Sequence, residues 1–300
     1  MRNGQQHMGA ADLPRPKEIV FHVTCALIVA HGLSPCMAWA QAIVPDGRTL
    51  TTVMPDAGAA VVNIHTGTVL GNGNALNSFS RFNVGEGQVA NLHVPDTAAA
   101  LINLVRDQTT TIGGMLNAIK DGKIGGKVYF ANPHGFIVSN TGVVNVGSLH
   151  VSTPSQQFVD EFFSATGGAE ASSAQLVAGT APRNRDAQVR IDGTVNAIEQ
   201  VAVSAGSVVV GGKVFTGARF SGTDPDFKDV VNVHGLDAAS TVAVHDGRIL
   251  IVGDDDISVT GTLSTRRVAD GSDATLRSGT SVGASSDISL EARSVTLGSG

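Results

Sequence analysis

The residues with the chemistry to react or to bind a metal are few and scattered. Asp254-Asp255-Asp256 is the densest acidic run, with Arg248 just upstream. A polysaccharide lyase or glycosidase needs clustered carboxylates, or an Asp beside an Arg, for general acid–base work. As a calcium site the run lacks both the Asp-x-Asp-x-Asp-Gly loop and the Gly-Gly-x-Gly-x-Asp nonapeptide, so a solvated corner is expected. Of the nine histidines, His7, His22 and His31 lie in the first forty residues. The other six (His65, His93, His134, His150, His234 and His245) show no His-x-x-x-His spacing. No Gly-x-x-x-x-Gly-Lys-Ser/Thr or Gly-x-Ser-x-Gly motif occurs. The reading is no enzyme: no catalytic residue, no cofactor and no metal.

Both cysteines, Cys25 and Cys36, and the single Trp, Trp39, also fall in the first forty residues. That stretch reads as an extended secretory signal peptide over residues 1–40. Arg2, Arg15 and Lys17 make a basic start, and Ile19–Ala30 is the apolar run. Ala38-Trp39-Ala40 is a small-x-small cleavage site, and Ala40-Gln41-Ala42 fits equally well. Twelve apolar residues interrupted by His22 fall short of the ~20 that a spanning helix needs. From Gln41 onward there are 17 basic and 24 acidic side chains and no cysteine. Thiol catalysis and a Cys-ligated metal are thereby excluded. With no basic excess to neutralise phosphates, nucleic acid is excluded as main partner.

What positions these residues is a series of short strands. The 300 residues include 36 Gly, and aromatics are only 4%. Runs of period-two apolar and β-branched residues recur, among them Ala60–Ile64, Lys127–Ala131, Phe136–Ser139, Gly142–Val146 and Ser148–Ser152. They continue through Val189–Ile191, Gln200–Val203, Ser207–Val210, Lys213–Phe215, Val230–Val233, Thr241–Val244, Arg248–Val252, Ile257–Val259, Ala274–Leu276, Asp287–Leu290 and Ser294–Leu297. A motif apolar-x-Gly-x-apolar repeats at Ile191-Asp-Gly-Thr-Val195 and Val259-Thr-Gly-Thr-Leu263, and more loosely around Gly142 and Gly247. Two architectures accommodate such strands: a sandwich or barrel of hairpins, and a parallel β-helix. Small and aliphatic side chains with Gly or Asn corners favour the β-helix. At ~20 residues and ~4.8 Å per coil the rod would be about 60 Å long. Against the pattern, Asp96–Arg106 taken alone reads as a capped helix. Val159–Phe163 is a second helical candidate, on an excursion beside the low-complexity Gly167–Gly179 region. The repeat pattern runs to Gly300 without a cap and is expected to continue in a longer polypeptide.

Residues 74–154 carry the specific signal. Asn77-Ser-Phe79-Ser-Arg-Phe82-Asn-Val84 resembles the Asn-x-Phe-x-x-Phe-x-Val opening of two-partner-secretion domains, the N-terminal domains of filamentous-haemagglutinin-type exoproteins. Gly126–Ala131 followed by Asn132-Pro133-His134-Gly135 is similar to that family's strand and Asn-Pro-Asn-Gly-Ile turn. Val144-Asn145-Val-Gly147-Ser-Leu149 through Ser152-Thr153 resembles its closing segment. His134 and Phe136 stand where the commonest pattern has Asn and Ile, and an upstream Asn-Pro-Asn-Leu motif is lacking. These departures place the chain nearer the high-molecular-weight-adhesin or leukotoxin-like branch. Physically, Pro133 fixes φ at a turn, Asn132 accepts from backbone amides across it, and Gly135 takes positive φ. Phe79 and Phe82 read equally as core packing or as recognition.

The resemblance implies an all-β, right-handed parallel β-helix with short extra-helical elements in its N-terminal secretion domain. It assigns residues 41–165 to the secretion domain, 166–188 to a low-complexity excursion or linker, and 189–300 to further β-helix. It turns residues 97–105 from helix to strand. It implies passage through the inner-membrane secretion machinery and then a POTRA-bearing outer-membrane β-barrel transporter. The product would be secreted or held at the surface of a Gram-negative cell. An adhesin, with a host-cell receptor or glycan as target, is the leading reading. A cytolysin or contact toxin comes next and a β-helical polysaccharide-active enzyme third. The expected secretion-motif residues are Asn77, Phe79, Phe82, Asn132, Pro133, His134, Gly135, Asn145 and Gly147.

Overall fold

The computed structural model describes residues 42–58, 60–217, 247–266, 273–275 and 287–298. Ala38, Ala40 and the rest of the signal segment lie outside them, as do the expected strands Val230–Val233 and Thr241–Val244. Two short strands open the domain, β1 (Ile43–Pro45) and β2 (Thr51–Pro55). The chain then winds in coils. The first holds β3 (Val61–Thr66) and β4 (Asn74–Val84), and the second β5 (Val89–His93), β6 (Ala100–Val105) and β7 (Thr110–Ile112). The third holds β8 (Met115–Lys120), the hairpin partner β9 (Lys123–Ile124), β10 (Lys127–Ala131) and β11 (Phe136–Val138). The fourth has β12 (Val143–Ser152), helices α1 (Gln156–Glu161) and α2 (Gly168–Ala178), and β13 (Gln188–Ile191). Then come β14 (Thr194–Ala205) and β15 (Ser207–Val210), followed by β16 (Lys213–Thr216), β17 (Arg248–Gly253) and β18 (Asp256–Val259). The last described coil has β19 (Thr262–Arg266), β20 (Asp273–Thr275), β21 (Asp287–Glu291) and β22 (Ser294–Leu297).

Parallel pairing between successive coils makes three sheet faces. Face 1 aligns Val61, Val89, Met115, Val143, Thr194, Lys213 and Thr262. Face 2 aligns Ala75, Leu101, Val128, Leu149, Val201, Ile249 and Ile288. Face 3 aligns Val84, Ile112, Val138, Ile191, Val210, Val259 and Leu297. The fold is therefore an all-β parallel β-helix, with α1, α2 and the antiparallel pairings of β9 with β8 and β20 with β19 as extra-helical elements among the described residues. The expected twenty-residue coil is wrong for most of the chain. Face 1 partners lie 28, 26, 28, 51, 19 and 49 residues apart. Loops and excursions lengthen all but one coil, so seven coils at ~4.8 Å span about 30 Å rather than 60 Å.

The interior is a stack of like upon like. Phe79, Phe82, Phe130 and Phe136 form a ring chain with centroid distances of 5.1, 5.2 and 5.1 Å in the first three coils. Beyond them the core is aliphatic: Val144, Val195, Val214, Ile249 and Ile251 are all buried. Antiparallel β1 on β4 and β2 on β3 cover the first coil's open edge, which would otherwise offer unpaired backbone groups.

Within Asp96–Arg106 there is no helix: residues 96–99 form a turn and only Ala100–Val105 of the 97–105 stretch is strand, and face 2 explains why it resembles a helix. Leu101 and Val105 enter the main core, while Ala100, Ile102 and Leu104 are buried on the other face against Val159, Phe162 and Leu176. A strand buried on both faces loses its polar alternation and reads as a continuous apolar run. The Val159–Phe163 candidate is largely α1, whose N-cap Ser155 accepts from the Phe158 amide at 3.2 Å. Helix α2 forms within the glycine-bounded low-complexity region.

The candidate secretion motif

Asn77 lies on β4 with no exposed surface. Its Nδ2 donates to Asn103 Oδ1 (3.0 Å), and its Oδ1 accepts from Thr51 Oγ1 (2.8 Å). The amide thus ties the capping strand β2 to the first two coils. Phe79 and Phe82 are also fully buried and begin the interior ring chain.

Asn132-Pro133-His134-Gly135 is the corner between β10 and β11. Asn132 Oδ1 accepts from the His134 amide (2.9 Å), and the Gly135 amide closes the turn on the Asn132 carbonyl (3.2 Å). The Asn132 Nδ2 reaches back one coil, donating to the Gln108 carbonyl (2.8 Å) and Thr110 Oγ1 (2.9 Å). Gly135 sits at φ +102°, and a Cβ there would lie 2.5 Å from the Gln188 carbonyl of the next coil. Asn184 Nδ2 donates to the Pro133 carbonyl (2.8 Å) from that later coil. The turn is therefore bonded to the coil before it and the coil after it. His134, alone exposed among the four, donates Nε2–H to the Arg106 carbonyl (2.9 Å). Because a carbonyl can only accept, that bond fixes the tautomer.

Asn145 and Gly147 lie elsewhere, on β12. Asn145 is the fourth rung of a buried amide ladder that the sequence reading missed. Asn91 donates to Asn63 (3.1 Å), Asn117 to Asn91 (3.0 Å), Asn145 to Asn117 (2.9 Å) and Asn196 to Asn145 (2.9 Å). The ladder ends where the next rung is Phe215, which leaves Asn196 Oδ1 without a hydrogen-bond partner. The signal was present, since each rung occupies one strand position: Val61-Val-Asn63, Val89-Ala-Asn91, Met115-Leu-Asn117, Val143-Val-Asn145 and Thr194-Val-Asn196. Gly147 marks the bend of β12 from face 1 to face 2, where a Cβ would sit 2.6 Å from the Gly126 backbone. The structure thus gathers Phe79, Phe82 and the 132–135 turn around the first three coils. Asn77 and Asn145 remain in separate amide ladders.

Elsewhere the reactive groups are paired or isolated. Asp254 pairs with Arg183, and Asp255 with Arg293 (3.0 Å), at the corner between β17 and β18. Among the described residues no three His, Cys, Asp or Glu side chains come together as a metal site requires. His65 and His93 stack at 4.0 Å, and His150 stacks on Tyr129 at 4.2 Å. His234 and His245 lie outside the described residues. Burial, reinforced by His65, lowers the His93 pKa to about 4. Burial and then Lys127 lower His150 to about 4 against the opposing pull of Glu199. Both values lie below the ordinary 6.5, so the fold favours the neutral rings. Their contribution is fully present above pH 6.5 and is lost as pH falls from 6.5 towards 4. The thermal midpoint is expected to drop across that window, and His93→Asn/His150→Gln should flatten the drop. A drop of unchanged size in the double variant would assign it to other groups.

From Gln41 onward the described residues form a cysteine-free parallel β-helix, capped by antiparallel strands and turned on amide-bonded corners. Residues 41–295 match the TPS secretion domain, and the chain belongs to that family. A comparison with curated proteins finds no match. The chain is therefore a two-partner-secretion exoprotein, and the family implies a dedicated outer-membrane transporter as its partner. Such exoproteins are exported across the outer membrane of Gram-negative bacteria, and their secretion domain is not a known catalytic family. Among the described residues no helix is long and apolar enough to cross a membrane.

Proposed function

We propose that the chain is the N-terminal part of a filamentous adhesin, exported unfolded and displayed or released outside the cell. Residues 1–40 are the leader, cut after Ala40 or Ala42. Inner-membrane secretion machinery delivers the chain to periplasmic POTRA domains of the transporter, and folding of the β-helix outside the cell follows. The observation that carries this reading is the burial of the secretion motif. Asn77, Phe79, Phe82, Asn132, Pro133, Gly135, Asn145 and Gly147 are all buried in the folded domain. A partner that reads those side chains must read them before folding. The absence of cysteine from Gln41 onward agrees with this, because no disulfide can close a loop in transit.

On this reading the motif residues act by specifying corners and core of the folded product. An adhesin is favoured over a toxin because the described residues form a repetitive scaffold whose polar side chains bond one another. A host-cell receptor or surface glycan is the proposed target, and binding of the secreted chain to cells or glycans separates adhesin from cytolysin. Export is expected to require the transporter. Secreted chain should vanish from the medium when the transporter gene is deleted, and equal amounts with and without it would end the proposal.

A further inference from the structure

From Gln41 onward, Asn72 is the one asparagine followed by glycine. That dipeptide is chemically labile. A backbone amide nitrogen that loses its proton can attack the side-chain carbonyl carbon of the asparagine before it. Glycine, having no side chain, leaves the approach open. Asn140 is also exposed, but it is followed by β-branched Thr141, which crowds the same approach.

The fold holds the groups that this reaction would use. The Gly73 amide donates to the Leu70 carbonyl (2.9 Å). Asn72 Nδ2, which would leave, donates to Ser173 Oγ (2.8 Å) and to the Glu170 carbonyl (3.0 Å) of α2. Asn72 Oδ1 accepts from the Asn74 amide (3.1 Å). Proton loss at Gly73 breaks the first of these bonds, and departure of Nδ2 breaks two more. The bonds to α2 exist only in the folded chain, because Ser173 lies 101 residues beyond Asn72.

We propose that Asn72 is a deamidation site, closed by folding and open for as long as the chain is unfolded. The Gly73 nitrogen, its proton lost to solvent, bonds to Asn72 Cγ. The Cγ–Nδ2 bond breaks, and Nδ2 takes up a proton and departs as ammonia, leaving a cyclic imide. Water adds to either imide carbonyl and opens the ring to aspartate or isoaspartate at position 72. Both products exchange a neutral donor for a carboxylate, which only accepts.

The exchange bears on α2. A carboxylate at position 72 cannot donate to the Glu170 carbonyl. The Ser173 hydroxyl can turn to it only by giving up its own bond to that carbonyl (2.8 Å). The new charge also stands next to Gly71, whose amide holds the Glu170 carboxylate (2.8 Å). Helix α2 has no side-chain N-cap, so these bonds are what tie its first turn to the coil. A chain that lingers unfolded therefore folds with α2 permanently loosened, whereas one that folds promptly keeps the amide. That bearing on export rests on the unfolded passage proposed above.

The purified mature chain is aged at neutral pH in guanidinium chloride and in plain buffer, and the peptide spanning Asn72 is followed by mass spectrometry. Deamidation at Asn72 is expected to be at least tenfold faster in the denaturant. A smaller ratio, or faster loss at another asparagine in the denaturant, overturns the proposal. The aged chain is then refolded, and its amide hydrogen exchange is compared with that of chain unfolded and refolded without ageing. The α2 amides should exchange at least tenfold faster, with those of β12 unchanged. If ageing leaves too little chain able to refold, freshly made Asn72→Asp supplies the same comparison. Unchanged exchange in α2 overturns the proposal. Neither measurement involves the transporter, so failure here strikes only the modification site, and loss of transporter dependence strikes only the export reading.

Discussion

Gly193→Ala is expected to lower the unfolding free energy by about 3 kcal/mol. Gly193 lies at the corner where face 3 passes into face 1, and a Cβ there would run into the carbonyls of Gly142 and Ser139 and lie 3.0 Å from Val138 Cγ1. The obstacles are backbone of the preceding coil, so no rotamer change relieves them. Opening the corner would stretch the bonds from the Thr194 amide to the Gly142 carbonyl (2.9 Å) and from the Lys213 amide to the Gly193 carbonyl (2.8 Å). Overpacking of this kind costs about 3 kcal/mol or more, a large part of the ~5–15 kcal/mol that holds a domain folded. Gly114, Gly142, Gly212 and Gly261 occupy the same corner on other coils, each against backbone of the coil before. Gly125→Ala, whose Cβ would meet nothing closer than 3.9 Å, is the matched control and should change stability little. Urea midpoints of the purified chains decide it; similar midpoints for the two variants would contradict the stacked-corner account.

Asn117→Leu should cost nearly as much for a different reason. Asn117 donates to Asn91 and accepts from Asn145, and all three amides are buried. Leucine leaves the Asn91 oxygen and an Asn145 amide hydrogen without partners in a place water does not reach. Each such orphan costs about 1–3 kcal/mol, so a loss of about 3 kcal/mol in unfolding free energy is expected. The urea slope should stay unchanged, since the same surface is exposed on unfolding. A loss below about 1 kcal/mol would mean that the ladder contributes little net stabilisation.

The corners were legible in the sequence and the ladder was legible but unread. The repeat apolar-x-Gly-x-apolar at Ile191–Val195 and Val259–Leu263 is the face 3 to face 1 corner, and Gly142, Gly193 and Gly261 are its centres. The Asn132–Gly135 turn follows from proline and glycine dihedral limits alone. Coil length was not legible, because loops and the α1–α2 excursion enter at corners where stacking places no limit on length. Nor was the burial of Leu76, Ile102 and Leu104 beneath helix residues 55 to 100 positions further on, since no local pattern encodes a distant cover. Asn77 and Asn145 could be marked as special by resemblance, but that they bond to Asn103 and Asn117 one coil away appears only when the coils stack.

The central claim is that the secretion-motif residues act through the fold they specify. It is tested most directly by plotting secreted yield against in vitro unfolding free energy. The set pairs the motif variants Asn132→Ala and Gly147→Ala with Asn117→Leu and Gly193→Ala, which lie outside the motif. The account predicts one common line, with export lost in proportion to stability wherever the substitution falls. Motif variants that lose export while keeping full stability would contradict it.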